Sequence, residues 1–258
     1  MGMGTFALLQ ADIAAPSLAQ TRQALQAVVD RGLPVVPTDA GGIVRNAFGV
    51  LVKRLRHEHA EQLHDAFTQA GYATVVVAED RLLDLPPTKG TRCLRPDNEA
   101  LMYSDTLDRM HPIAWDQVLV MIAGVVVRTK TERQWQMATD YRGDGNTPMR
   151  VAAVESKEIS ENEPMMQLLL GVEPWRLSVR GMGLNYGYLG ERRTTNSAKN
   201  FARVLRDIVD HAKAAVVSRG IAAMTGRADV LPVYPTIGAF EEELSWLAWK
   251  AGGTSSES

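Results

Sequence analysis

The densest set of residues able to do chemistry is His57-Glu-His-Ala-Glu-Gln-Leu-His64. On a helix, His57, Glu61 and His64 stand at i, i+4 and i+7, which is one face. Two neutral imidazoles and a carboxylate are ligands that a divalent metal accepts. The order is not His-Glu-x-x-His, because the residue four after His57 is Glu61. The same side chains also suit the outer face of an amphipathic helix, since Ala60, Leu63 and Phe67 define its buried side. A metal site and a solvated face are both open readings.

A second candidate binds anions. Glycines at 181, 183, 187 and 190 precede Arg192, Arg193 and a helix start near Asn196. Free backbone N–H groups at a helix N-terminus attract anions, and adjacent guanidinium groups strengthen the pull. The spacing is neither the dinucleotide fingerprint nor the Walker pattern. Tyr186 and Tyr188 alternate like strand residues, and glycines in strands mark bulges and tight bends.

Other chemistries find less support. Arg45-Asn-Ala-Phe48-Gly-Val-Leu-Val52 supplies one aromatic where an RNA-recognition sheet stacks bases on several, with Phe6 as a second candidate. No Gly-x-Ser-x-Gly occurs, and His111 and His211 stand alone. Asp140, Asp144 and Asn146 fail the calcium-loop pattern, because Arg142 occupies a ligand position. Cys93 is the only cysteine, which excludes an internal disulfide and a cysteine-rich zinc module. No motif calls for a cofactor.

These residues need a scaffold, and the composition provides for one. Of 258 residues, 45% are hydrophobic and 22% charged, as in a globular protein that buries a core. The net charge of −2 gives no long-range field to gather phosphate backbones, so nucleic acid is not the expected partner. The first ten residues lack a basic, apolar leader, and the run from Val118 to Val127 is too short to span a bilayer. A cytoplasmic protein without a membrane partner is expected.

Along residues 1–85 the pattern alternates. Thr5 to Ala11 reads as a strand, and Ser17 caps a helix whose Leu18, Thr21, Leu25 and Val28 repeat at three and four residues. Leu33 to Pro37 reads as a poor strand, Asp39-Ala-Gly-Gly as a turn and Ile43 to Leu55 as a strand. His57 to Ala70 is a helix and Ala73 to Ala78 a strand. This βαββαβ order resembles the ferredoxin-like arrangement, which implies four antiparallel strands with both helices on one face and the other face open.

Pro86-Pro87-Thr-Lys-Gly90 reads as a linker over 86–91, after which the character changes. Arg92 to Arg95, Ala100 to Tyr103 and Pro112 to Val127 read as antiparallel strands, with Trp115 half-buried and Gly124 at a bulge. Residues 128–163 form a long polar excursion that holds a strand near Met149 to Glu155. A helix follows Asn196, with Ala198, Phe201, Leu205, Ile208, Ala212 and Ala215 along a narrow seam. Strands closed by a helix over 92–225 are similar, at the level of fold, to a pleckstrin-homology-like barrel. An amphipathic extension at 226–251 turns Phe240, Leu244, Leu247 and Ala248 inward, and 252–258 is a frayed tail.

The expected class is thus α+β. The expected role is a non-catalytic protein-binding or adaptor module, with another protein or a second copy as partner. It acts through the open sheet face or the 128–163 excursion, because structureless stretches of that length inside compact domains are usually functional or disordered. The competing role is a small-ligand sensor or enzyme using one of the two candidate sites.

Overall fold

The computed structural model describes residues 4–82, 84–140, 149–171, 174–228 and 231–253. The fold is mixed α and β, with several sheets. Strand β1 (Phe6–Gln10) leads to helix α1 (Leu18–Ala27). Ser17 begins that helix with a full capping box, its side chain accepting from the Gln20 N–H while Gln20 accepts from Ser17.

Residues 33–37 form no strand, and Asp39-Ala-Gly-Gly is no turn. Asp39 accepts the Val36 N–H at 2.8 Å, and Pro37 opens a helical turn that runs into helix α2 (Ala40–Arg45). Burial of Ala40 in the core outweighs the β preference of Ile43 and Val44. Strand β2 (Val50–Leu55), helix α3 (His57–Gln69) and strand β3 (Thr74–Ala78) follow. The sheet therefore has three strands in the order β2-β1-β3, and β1 is antiparallel to both neighbours.

The expected linker supplies a strand of its own. Strand β4 (Thr88–Thr91) pairs in parallel with β10 (Trp175–Arg180). Between them lie a meander of β5 (Leu94–Pro96), β6 (Ala100–Ser104) and β7 (Met110–Ala114), and the long pair β8 (Val118–Asp140) and β9 (Met149–Leu170). Gly124 marks no bulge, because the β8–β9 register shifts only between Val118 and Val120. Its missing side chain makes room for Tyr234: a Cβ there would stand 2.3 Å from that ring.

Helix α4 (Ser197–His211), short strand β11 (Val216–Val217), helix α5 (Arg219–Met224), short strand β12 (Val233–Tyr234) and helix α6 (Ile237–Gly253) complete the chain. The tail expected over 252–258 begins inside α6, and from 254 it lies outside the described residues.

Three cores arrange these elements in layers. One packs α1, α2 and α3 through Leu25, Ala40, Leu63 and Phe67 onto one side of the small sheet. The other side of that sheet is not open. Ala7, Leu9, Val50 and Val77 join Phe240, Leu244, Trp246 and Leu247 of α6, which packs in turn on Val120, Ile122 and Leu169 of the large sheet. The opposite side of the large sheet carries Met121, Met166 and Leu177, covered by the meander and by Phe201, Leu205 and Ile208 of α4. Thus α6 is no peripheral extension; it is the layer between two sheets. Alternation along β8, with Val120 and Ile122 one way and Met121 and Ala123 the other, lets one strand serve both cores.

Candidate functional site

The geometry is richest where β5, the turns before α4 and α4 itself meet. A cavity of about 480 Å³ opens there, lined by Arg95, Pro96, Tyr188, Arg192, Asp207 and His211. Asp207 organises it. Its carboxylate accepts the Tyr188 hydroxyl at 3.0 Å and both terminal nitrogens of Arg192, at 3.0 and 2.8 Å. That bidentate pair fixes the plane of the guanidinium.

His211 lies one helical turn further on. Its Nδ1 sits 2.7 Å from the Asp207 backbone carbonyl, which can only accept, so Nδ1 carries the proton and neutral His211 keeps its lone pair on Nε2. The ring stacks on Trp115, with centroids 4.9 Å apart and planes 18° from parallel. Trp115 is held by donating its indole N–H to the Asp97 carbonyl at 3.0 Å.

Charge follows from these contacts. Burial, then the Asp207 carboxylate, pushes the Tyr188 hydroxyl far above its ordinary value, so Tyr188 remains protonated and serves as a donor. The hydrogen bonds that Arg192 donates to Asp207 hold its guanidinium above its usual range. The N–H groups of Ala100 and Glu99 keep Asp97 ionised to lower pH than usual. The cavity thus sets Arg95, the exposed side of Arg192 and the His211 ring around the Asp207 network.

Of the residues predicted for an anion site, the structure brings only Arg192 to this cavity. Asn196 is committed as the N-cap of α4, its side chain accepting the Lys199 N–H at 3.0 Å. Arg193 is exposed and does not line the cavity. Arg95, Trp115, Tyr188, Asp207 and His211 were not singled out as a set by sequence. The one local signal is Asp207 and His211 at i, i+4 on a helix.

The predicted metal trio divides. His57 Nε2 faces Glu61 Oε1 at 3.5 Å and rests edge-on against Phe6. His64 turns to β3, with Nδ1 2.9 Å from Thr74 Oγ1. Among the described residues no three His, Cys, Asp or Glu side chains are grouped to hold a metal ion. Phe48, considered as a base-stacking platform, is buried against Tyr234 at 4.5 Å between centroids.

The described residues of the excursion at 128–163 are paired strands. Residues 128–140 and 149–161 continue β8 and β9 as a two-stranded ribbon in unbroken register, Arg128 opposite Glu161 and Asp140 opposite Met149. At about 3.4 Å per residue the ribbon extends roughly 40 Å. Its base is clamped by Arg128 Nη1 on Glu163 Oε2 at 2.9 Å. Neighbouring strands stop short: β12 pairs with β8 only at Val125 and Val126, and β10 pairs with β9 only from Met165 to Leu170. The Arg-Gly-Asp-Gly-Asn segment at 142–146 lies outside the described residues.

The chain matches no protein-family model, no curated protein and no solved structure. Any functional reading of it rests on its own geometry. Among the described residues no helix is long and apolar enough to cross a membrane.

Proposed function

We propose that this chain is a non-catalytic protein-binding module whose recognition element is the ribbon of residues 128–140 and 149–161. The supporting observation is that, among the described residues, no strand hydrogen-bonds to either edge of the ribbon. A two-stranded hairpin alone is marginally stable in water, and its edges present N–H and C=O groups that another chain can pair with. The ribbon's sequence adds Trp135, Met137 and the run Val151-Ala-Ala-Val154, and Trp and Met are types enriched where interfaces bury their centres.

The fold fits a binding role. The ferredoxin-like reading keeps the β2-α3-β3 unit wrapped around β1 but lacks its fourth strand among the described residues. The pleckstrin-homology-like reading keeps strands β4 to β10 followed by α4 but divides them between two sheets, with β4 and β10 parallel.

The test replaces residues 131–158 with a two-residue Asn-Gly turn, joining positions that the register already opposes. The shortened chain is expected to fold, with a melting temperature within a few degrees of the full chain's, and to lose the host proteins that the full chain captures. Undiminished capture by the shortened chain contradicts the proposal.

A second reading rests on the cavity beside Asp207: a small-anion sensor, with Arg95 and Arg192 as the cationic walls. Inorganic phosphate would then raise the melting temperature of the wild type, since a ligand that binds only the folded state stabilises it. Arg95→Ala would abolish the rise. A wild type indifferent to phosphate ends this reading.

A further inference from the structure

The small sheet has two outer edges, and they differ in kind. On the β2 side the pairing with β1 shifts register twice, between Phe6 and Leu8 and between Leu8 and Leu9. Lys53 and Arg54 stand on that strand, and Arg54 takes a left-handed φ of 59°. Irregular pairing and charge are the usual means by which an edge is kept from joining another sheet. On the β3 side none of these appears. Thr74-Val-Val-Val-Ala78 is uncharged, β-branched from Thr74 to Val77, and pairs with β1 without a shift along its whole length.

Parity shows which groups the β3 edge offers. The Glu79 N–H donates to the Thr5 carbonyl at 2.9 Å, and the Ala11 N–H to the Ala73 carbonyl at 3.3 Å. In an antiparallel ladder, hydrogen-bonded residues alternate with residues whose N–H and C=O point away. Residues 73, 75, 77 and 79 therefore face β1, while Thr74, Val76 and Ala78 turn their backbone groups outward. Among the described residues no strand meets them.

We infer that this edge pairs with the same edge of a second copy of the chain, antiparallel, across a two-fold axis at Val76. The outward set is symmetric about Val76, so Thr74 meets the copy's Ala78 while Val76 meets its own counterpart. Each residue then exchanges hydrogen bonds with its opposite in a single register. A two-fold interface requires this self-complementarity. The groove along the edge fits the same occupant. Half-buried Phe6 and Trp249 supply apolar surface, and Glu61 and exposed Arg81 supply one charge of each sign, as a surface that meets its own copy needs.

Light scattering on the full chain during size-exclusion chromatography tests the inference. The wild type is expected at twice the 28.3 kDa chain mass. Val76→Pro removes an outward N–H and leaves every β1–β3 hydrogen bond in place, as proline on an edge strand does. It should weaken dimerisation at least about tenfold, the loss of both hydrogen bonds at the axis and a clash there, with an unchanged circular dichroism spectrum.

A wild type that stays at the single-chain mass up to hundreds of micromolar overturns the inference. So does a dimer that Val76→Pro leaves intact, or one lost on shortening the ribbon, which would place the contact there instead. If Val76→Pro does not fold, amide exchange of the wild type decides. Strong protection of the Val76 N–H at dimer concentrations supports the pairing, and rapid exchange refutes it.

Discussion

Trp246→Ala is expected to destabilise the fold by about 3–5 kcal/mol, the range for removing a large aromatic from a packed core. In thermal unfolding this appears as a fall on the order of 10 °C for a chain of this length. Trp246 is 1% exposed and lies in the core shared by the small and the large sheets. Its indole N–H donates to the Gln10 carbonyl at 3.0 Å, which ties α6 to β1. The space beside it is already shaped for the ring: a Cβ on Gly49 would stand 2.3 Å from the indole, and Gly49 holds a φ of 88°. Alanine leaves that hollow empty and orphans the Gln10 carbonyl. A loss below about 0.5 kcal/mol, the ordinary size for a surface change, would show that α6 is peripheral.

Arg176→Met is the second large effect, expected near 3 kcal/mol in urea unfolding, about what leaving two buried acceptors without a donor costs. Arg176 is 8% exposed. Its guanidinium bridges the large sheet and α6, donating to Gln167 Oε1 at 3.0 Å, Glu241 Oε1 at 2.8 Å and the Pro86 carbonyl at 2.8 Å. Methionine fills the stem's volume but leaves Gln167 and Pro86 without a donor. Glu241 is the more exposed partner, so Glu241→Ala should cost less than Arg176→Met. The reverse order would mean that the ion pair, and not the buried hydrogen bonds, holds this joint.

Beside that joint, Tyr234 donates to Glu243 at 2.7 Å in a pair sealed from solvent. Burial raises the Glu243 carboxyl above its ordinary value, partly offset by the Tyr234 hydrogen bond and by Arg219. A polar pair at the base of β12 and α6 fixes how those two elements meet.

Local chemistry was readable from sequence wherever a few neighbouring residues decide the structure. The Ser17 cap, the Asn196 cap, the buried stripe Ala60, Leu63 and Phe67, and the strand ending at Ala78 all form as their spacing dictates. Where distant contacts decide, the reading departed from the fold. Pro86 to Gly90 has the composition of a linker, yet Thr88 to Thr91 becomes a strand because β10 offers it an edge. Gly124 looks like a bulge until Tyr234, more than a hundred residues on, is seen against it. The small sheet's second face was expected to be open, since nothing local to residues 1–85 reveals that α6 covers it.

The candidate cavity follows the same rule. Arg192 was visible through its glycine-rich surroundings. Arg95 and His211 come from elements 116 positions apart, joined only by the packing of α4 on the meander. The ribbon was visible as an excursion with one strand, near Met149 to Glu155, but not as a hairpin, because its first strand is polar in composition and reads as loop.

Site-specific photo-crosslinking asks whether the ribbon is the surface that meets a partner. A photoreactive residue is placed in the ribbon at Gln134 or Glu155, which the register sets opposite each other, and, as a control on the body, at exposed Lys213. Irradiated in its host, the chain is predicted to form one discrete adduct with a second protein from both ribbon positions and none from position 213. No adduct from the ribbon, or the same adduct from position 213, would contradict the ribbon's assignment as the recognition element.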